Sequence, residues 1–116
     1  MPTIEIPIKL VSEANVKQHW AIKHKRAKVQ EMLIKYEMRG MKIPLPCTVT
    51  LIKCGGRRMD YDNLLYAFKK IRDTIADQLI PNLAAGRADD SELITWIYKQ
   101  DLKAKKCIRV EISRVI

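Results

Sequence analysis

The hydrophobic and polar residues of this chain follow two periods, which predict four strands and two main helices. Strand patterns, either alternating or rich in Thr, Val and Ile, cover residues 3–10, 47–54, 92–100 and 106–116. Helical spacing covers residues 14–39 and 61–79. The short polar segment 101–105 is typical of a hairpin between the last two strands. We therefore expect the order βαβαββ, an α+β fold with a mixed four-stranded sheet packed against the two helices.

Each predicted helix carries an apolar set that indicates the face turned to the core. In the second helix the apolar residues are spaced by three or four positions and form one stripe: Leu64, Phe68, Ile71, Ile75 and Leu79. In the first helix the corresponding apolar positions are Trp20, Ile22, Val29, Met32, Leu33 and Tyr36. Gly40 is a natural residue to end this first helix.

Length and composition narrow the class of protein. The 116 residues suit a single domain over 1–116, and a hydrophobic fraction of 47% excludes a disordered chain. No apolar run approaches the roughly 20 residues that cross a bilayer, and the first residues lack a secretory signal. Cys47, Cys54 and Cys107 have the spacing of neither a zinc site nor a disulfide framework, so we expect them in the core. These features predict a cytoplasmic protein with no membrane partner.

The charge balance indicates a polyanionic partner. The chain has 22 Lys and Arg against 13 Asp and Glu, a net charge of +9. The excess lies in residues 17–42, 53–59 and 99–109, whereas residues 60–92 hold seven acids against four bases. A solvated helix face or strand edge explains any one basic block. Three such blocks on one small domain favour nucleic acid as the partner.

Four aspartates stand out within the acidic segment. Asp60 and Asp62 lie where the second strand leads into the second helix, and residues two apart in an extended stretch point to the same side. Asp89 and Asp90 precede the third strand and reach the same place only if their loop folds over the helix. Three converging carboxylates require a divalent cation, and Mg²⁺ amid basic residues suggests phosphodiester chemistry. Helix capping and ordinary turn chemistry are the alternative interpretation.

A family resemblance rests on residues 57–65, Arg-Arg-Met-Asp-Tyr-Asp-Asn-Leu-Leu, and on residues 89–93, Asp-Asp-Ser-Glu-Leu. With the helix and Gly-containing loop between them, these segments resemble the RusA family of Holliday-junction resolvases. The likeness extends to the opening of the chain, where a strand is followed by Asn15, His19, Trp20 and a basic helix. The resemblance implies a RusA-like endonuclease domain, of a kind often carried by phages and prophages.

What the family does is implied for this chain by the same resemblance. RusA-like enzymes are Mg²⁺-dependent homodimers that nick four-way DNA junctions symmetrically in recombination and repair. The expected partners are therefore branched DNA and a second copy of the chain, with Mn²⁺ as a substitute ion and no small-molecule cofactor.

The resemblance also assigns site residues. Asp60, Asp62 and Asp90 match the catalytic, metal-binding carboxylates, and Asp89 is the alternative third ligand. The family has a functional lysine four residues after the second Asp, where this chain has Tyr66. Further along the same helix, we expect one of two lysines to contact the phosphate in its place, Lys69 or Lys70.

The DNA-binding residues are expected among the bases around these carboxylates, namely His19, Lys23, Lys25, Arg26, Arg57 and Arg58. His19 and His24 are five residues apart, so they do not form a zinc pair on one helix face. The change at Tyr66 leaves another class of function open, a non-catalytic DNA-binding protein that retains the RusA-like fold. A nuclease acting on other branched DNA or on RNA is a third.

Overall fold

A computed structural model describes residues 2–11, 20–81, 88 and 91–114. The strands and helices are, in chain order, β1 (Thr3–Ile6), α1 (Trp20–Met38), β2 (Cys47–Cys54), α2 (Tyr61–Ala67), α3 (Lys69–Leu79), β3 (Ile94–Asp101) and β4 (Cys107–Arg114). The predicted α+β class and the mixed four-stranded sheet are confirmed. No helix among these residues has the length and apolar character needed to cross a bilayer.

The sheet has the strand order β1-β4-β2-β3, which places β2 in its interior. β2 is parallel to β3 and antiparallel to β4, and at its end Cys54 is paired with Asp101 on one side and Cys107 on the other. The predicted hairpin between β3 and β4 is therefore wrong, because β2 lies between these two strands. Residues 102–106 instead carry the chain across the end of β2.

Gly55 permits this crossing. Its φ is +74°, and a Cβ placed on it would lie 2.8 Å from the Ala104 carbonyl oxygen and 2.9 Å from the Lys106 amide nitrogen. The Gly55 amide also donates to the carbonyl of Asp101 at 2.8 Å, so it extends the β2–β3 ladder by one residue. The connection thus passes directly over the main chain at Gly55, where only glycine leaves room.

The predicted helix over residues 61–79 consists of two helices that meet at Phe68. Phe68 has φ −86° and ψ −2°, so the helical backbone is interrupted there and α3 begins at Lys69. The Phe68 side chain is fully buried and packs against Tyr98, with 6.0 Å between ring centroids. The predicted apolar stripe is confirmed despite the interruption, because four of its residues are buried and Leu79 packs beside them: Leu64, Phe68, Ile71 and Ile75.

Helix α1 turns a different face to the core from the one predicted. Its buried residues are Gln30, Ile34 and Met38, which are one helical turn apart. Of the predicted set only Leu33 packs on the core, and the others are exposed: Trp20, Ile22, Val29, Met32 and Tyr36. Apolar residues therefore lie on two opposite sides of α1, and periodicity alone does not distinguish them. The predicted start of this helix at residue 14 lies outside the described residues.

Strand β1 is shorter than the predicted 3–10, and it ends at Ile6. Pro7 follows and has no amide hydrogen for the ladder with β4. The chain nevertheless returns to the core at Leu10, which is buried.

The three cysteines are free and buried, as predicted. Cys54 and Cys107 face each other across β2 and β4. Burial and the neighbouring Cys107 raise the pKa of Cys54 to about 11, so this thiol stays protonated at neutral pH.

We expect Gly55→Ala to lower the free energy of unfolding by more than about 2 kcal/mol, because it combines a left-handed backbone with overlap against Ala104 and Lys106. Gly40 is the matched control, since its φ is +76° but a Cβ there meets no atom within 4 Å. Gly40→Ala should therefore cost only the conformational term, about 1 kcal/mol. Urea unfolding of both variants measures the difference, and equal losses would contradict the crossing.

Candidate functional site

The loop of residues 55–60 leads from β2 to the predicted catalytic carboxylates, and Lys53 holds its first half. The Lys53 ammonium lies beneath the loop and donates from Nζ to the carbonyl oxygens of Gly55 and Arg57, both at 2.7 Å. Its side chain is nearly inaccessible to solvent. The position of Arg57 and of the residues that follow is therefore fixed from within the sheet.

Gln100 on β3 holds the second half of the loop. The Met59 amide donates to Gln100 Oε1 at 2.8 Å, and Gln100 Nε2 donates back to the Met59 carbonyl at 2.7 Å. The side-chain amide thus pairs with Met59 as a neighbouring strand would. The strand period of two places Gln100 on the same side of β3 as Ile94, Trp96 and Tyr98, and this alternation is the sequence signal that Gln100 faces inward.

Asp60 occupies the N-cap position of α2, with an extended backbone at φ −67° and ψ 159°. Its carboxylate makes no capping bond to the helix backbone, and Oδ1 instead accepts a hydrogen bond from Asn63 Nδ2 at 2.6 Å. The side chain is exposed. The position is that of a cap, but the carboxylate does not act as one.

Asp62 is exposed in the first turn of α2. Within the part of the chain that the structure describes, its carboxylate has neither a hydrogen-bond nor an ion-pair partner. The helix has already begun at Tyr61, so the extended geometry that predicted convergence with Asp60 does not apply here. Both carboxylates lie at the start of α2. That they bind one ion together stays a prediction.

A shallow depression of about 400 Å³ lies beside Asp62. Tyr98 lines this depression and contacts the side chains of Tyr61 and Arg72. The Tyr61 ring packs edge-on against it, with 6.1 Å between the ring centroids, and Arg72 Nη1 donates a hydrogen bond to its hydroxyl at 3.0 Å. The Arg72 guanidinium also stacks over Trp96, 4.8 Å from the ring centroid. A cation and a phenol therefore line the wall next to the carboxylate, and the sequence reasoning had not singled out either residue.

Tyr66, which stands where the RusA family has a lysine, also lines this depression. Its hydroxyl accepts a hydrogen bond from Lys23 Nζ at 3.2 Å, and the same ammonium lies 5.2 Å from the ring centroid. The structure thus brings the predicted DNA-binding residue Lys23 of α1 next to Tyr66 and the α2 surface that carries Asp62.

The two helix lysines have different surroundings. Lys69 lines the depression with Asp62, and its Nζ lies 3.4 Å from Asp73 Oδ2. Lys70 Nζ lies 3.2 Å from Glu31 Oε2 and joins α3 to α1. Hydrogen bonds from Lys35 and Lys70 lower the pKa of Glu31 to about 2. Lys69 is the better placed of the two to contact a ligand beside Asp62.

Four other predicted DNA-binding residues lie on α1 and in the loop before Asp60. Lys25 is exposed on α1 and Arg26 is half-buried beside it. Arg57 and Arg58 are exposed in the loop just before Asp60. His19, Asp89 and Asp90 lie outside the described residues, so their predicted roles stay predictions.

The carboxylates suit a hard divalent cation in their chemistry. Asp60 and Asp62 offer exposed oxygen donors that no described base neutralises. No three His, Cys, Asp or Glu side chains come together among the described residues, which do not include Asp89 and Asp90.

Comparison of the chain with models of known families, with curated proteins and with solved structures finds no match.

We expect Lys70→Met to lower the free energy of unfolding at pH 7 by up to about 1 kcal/mol, the range of a solvent-accessible ion pair. The depressed pKa of Glu31 means that this stabilisation is complete above its usual value of 4.5 and is lost as the pH falls towards 2. The cost of Lys70→Met should therefore vanish near pH 2. Lys28→Met is the control, because Lys28 is an exposed lysine of α1 with no ion-pair partner among the described residues. Urea titrations of both variants at both pH values test the pair. A loss that does not change with pH would contradict the assignment.

Proposed function

We propose that this chain is a Mg²⁺-dependent endonuclease that cuts branched DNA, with the four-way junction as its substrate. The observation that carries the proposal is a pair of exposed carboxylates, Asp60 and Asp62, which no described base neutralises. Arg57 and Arg58 precede this helix start in the loop, and Lys23 of α1 contacts Tyr66 on the same helix. Capping alone does not explain Asp60, since its carboxylate makes no bond to the helix backbone. The resemblance of residues 57–65 and 89–93 to the RusA family supports the same function.

The metal ligands in this proposal are Asp60, Asp62 and Asp90, with Asp89 as the alternative third. Mg²⁺ bound there would polarise a phosphate oxygen and lower the pKa of a coordinated water. Mn²⁺ accepts the same oxygen ligands and should substitute.

In this proposal, basic side chains of the chain bind the phosphate of the substrate beside the metal ligands. We assign the phosphate contact next to Asp62 to Lys69, because Lys69 lines the depression beside Asp62 and Lys70 does not. Arg72 on the same wall adds a second positive charge and is oriented by Tyr98 and Trp96. Lys23 approaches from α1 through Tyr66, so the family's missing lysine does not leave this surface without cations.

We expect Asp62→Asn to abolish nicking of a synthetic four-way junction in Mg²⁺, because a charged ligand is lost. Junction binding without metal should be unchanged or tighter, since the variant repels phosphate less. Asp77→Asn, which removes the same charge from α3, is the control and should cut normally.

Lys69→Met should slow cutting by more than about tenfold, whereas Lys70→Met should not.

Substrate controls in the same assay decide among the alternatives. Duplex, flap, single-stranded DNA and RNA substrates identify a different cleavage preference. Normal cutting by Asp62→Asn would refute the metal site. Tight junction binding by the unmodified chain with no cutting in Mg²⁺ or Mn²⁺ would establish the non-catalytic binding protein instead.

The homodimer is the second part of the proposal. A four-way junction has approximate two-fold symmetry, and paired nicks need two sites related by a matching axis. The outer apolar face of α1, formed by Ile22, Val29, Met32 and Tyr36, is a suitable surface for such an axis. Met32 and Tyr36 are each 61% exposed, and with Ile22 and Val29 they share one side of the helix, where a second copy of the chain would cover them together.

Sedimentation equilibrium at micromolar concentration without DNA should give about 27 kDa, twice the chain mass of 13.5 kDa. Met32→Glu should shift the mass to that of one chain, because it places a charge in the apolar interface. Leu102→Glu, at an exposed apolar residue between β3 and β4, should leave the dimer intact. A single-chain mass for the unaltered protein would exclude the dimer and the paired-nick mechanism.

A further inference from the structure

A second pocket, of about 400 Å³, lies at the end of β2 and shares no lining residue with the depression beside Asp62. Its charged lining residues are all bases: Lys9, Lys53, Arg57 and Lys106. No carboxylate lines it within the described residues. The function proposed above makes no use of this pocket.

Lys53 lies at the base of the pocket with 5% of its surface exposed. Two of the three ammonium hydrogens are taken by the carbonyl oxygens of Gly55 and Arg57. These acceptors are neutral, so they satisfy hydrogen bonds without neutralising the buried charge, which is costly when it is unpaired. One donor and a full positive charge remain for a ligand.

The neighbouring charges increase that cost. Burial lowers the pKa of Lys53, and the positive charges of Lys9 and Lys106 lower it further. Two described carboxylates at this end of the sheet pair with another base instead, because Glu5 and Asp101 lie 3.5 and 3.9 Å from Arg109. An anion in the pocket would relieve the repulsion among three lysines.

Gly56 keeps the space next to the ammonium open. Its φ is +72°, and a Cβ there would lie 3.3 Å from Lys53 Nζ. A larger residue at position 56 would therefore crowd the one nitrogen that has a donor to spare.

We propose that this pocket binds a phosphate group, with Lys53 at its base and Lys9, Arg57 and Lys106 around it. The volume exceeds that of a phosphate ion and leaves room for an attached sugar, which favours a phosphate of a nucleic-acid strand. The assignment of DNA as its source rests on the proposed function, whereas the phosphate chemistry does not. Asp60 follows Arg57 by three residues, so a strand seated here lies near the carboxylates.

The first test is a titration of the ¹⁵N-labelled chain with inorganic phosphate, against chloride at equal ionic strength. The amides of Gly55, Gly56 and Arg57 should shift and saturate. Lys106→Met should weaken phosphate binding about twofold to fivefold. Lys53→Met should weaken it about tenfold or more, since a buried charge-assisted bond is lost.

Lys99→Met is the matched control, because Lys99 is an exposed lysine on β3 outside the pocket. It should bind phosphate as the unaltered chain does. Lys106→Met keeps the test decisive even if Lys53→Met fails to fold. Absent shifts at these amides, or equal affinities for Lys106→Met and Lys99→Met, would overturn the proposal.

A second titration, with metal-free junction DNA and with a short single strand, identifies the source of the phosphate. Shifts at the same amides, with a greater loss of DNA affinity in Lys106→Met than in Lys99→Met, assign the pocket to the DNA backbone. Saturation by phosphate without a DNA response supports the pocket with a free phosphate ligand. Failure of the nuclease proposal appears separately, as normal nicking by Asp62→Asn, in which the pocket is intact.

Discussion

The passage of the β3–β4 connection over Gly55 is the contact on which the rest of the structure depends. It carries β4 to the far side of β2, so β2 gains a partner on each edge and becomes an interior strand. The connection also covers one face of this end of β2, where Ile52, Cys54 and Cys107 pack with Ala104. Lys53 lies on the opposite face, beneath the loop of residues 55–60, and its ammonium fixes this loop, which leads to Asp60.

The net positive charge divides into bases that hold the fold together and bases that remain for a ligand. Lys70 and Arg109 belong to the first group, because they bind carboxylates on neighbouring elements. Lys9 and Lys106 belong to the second, and they lie with Lys53 around one pocket. A count of charges along the sequence does not separate the two groups, since the separation depends on which carboxylates the topology places nearby. The positions of the acidic residues therefore determine which bases remain available to bind an anionic ligand.

The sequence predicted those features of the fold that depend only on residues close together in the chain. The bounds of β2 and the buried stripe from Leu64 to Ile75 were predictable, because each follows from periodicity within one element. The hairpin was wrong because polar residues 101–105 suit a crossing as well as a tight turn, and the choice depends on Gly55 far away in sequence. The core face of α1 was wrong because both of its sides are apolar. Gln100 acts on Met59, which is 41 residues away, so no local signal indicates their pairing.

The parallel pairing of β2 and β3 also constrains how the proposed metal site assembles. Asp60 lies next to the Gln100 end of β3, since Met59 is bonded to that side chain. Ser91 lies at the other end, where its carbonyl accepts from the Ile94 amide. The six steps along the strand from Ile94 to Gln100 span about 20 Å. Ser91 directly follows Asp90 in the chain, so a metal site that unites Asp90 with Asp60 and Asp62 must bridge this separation.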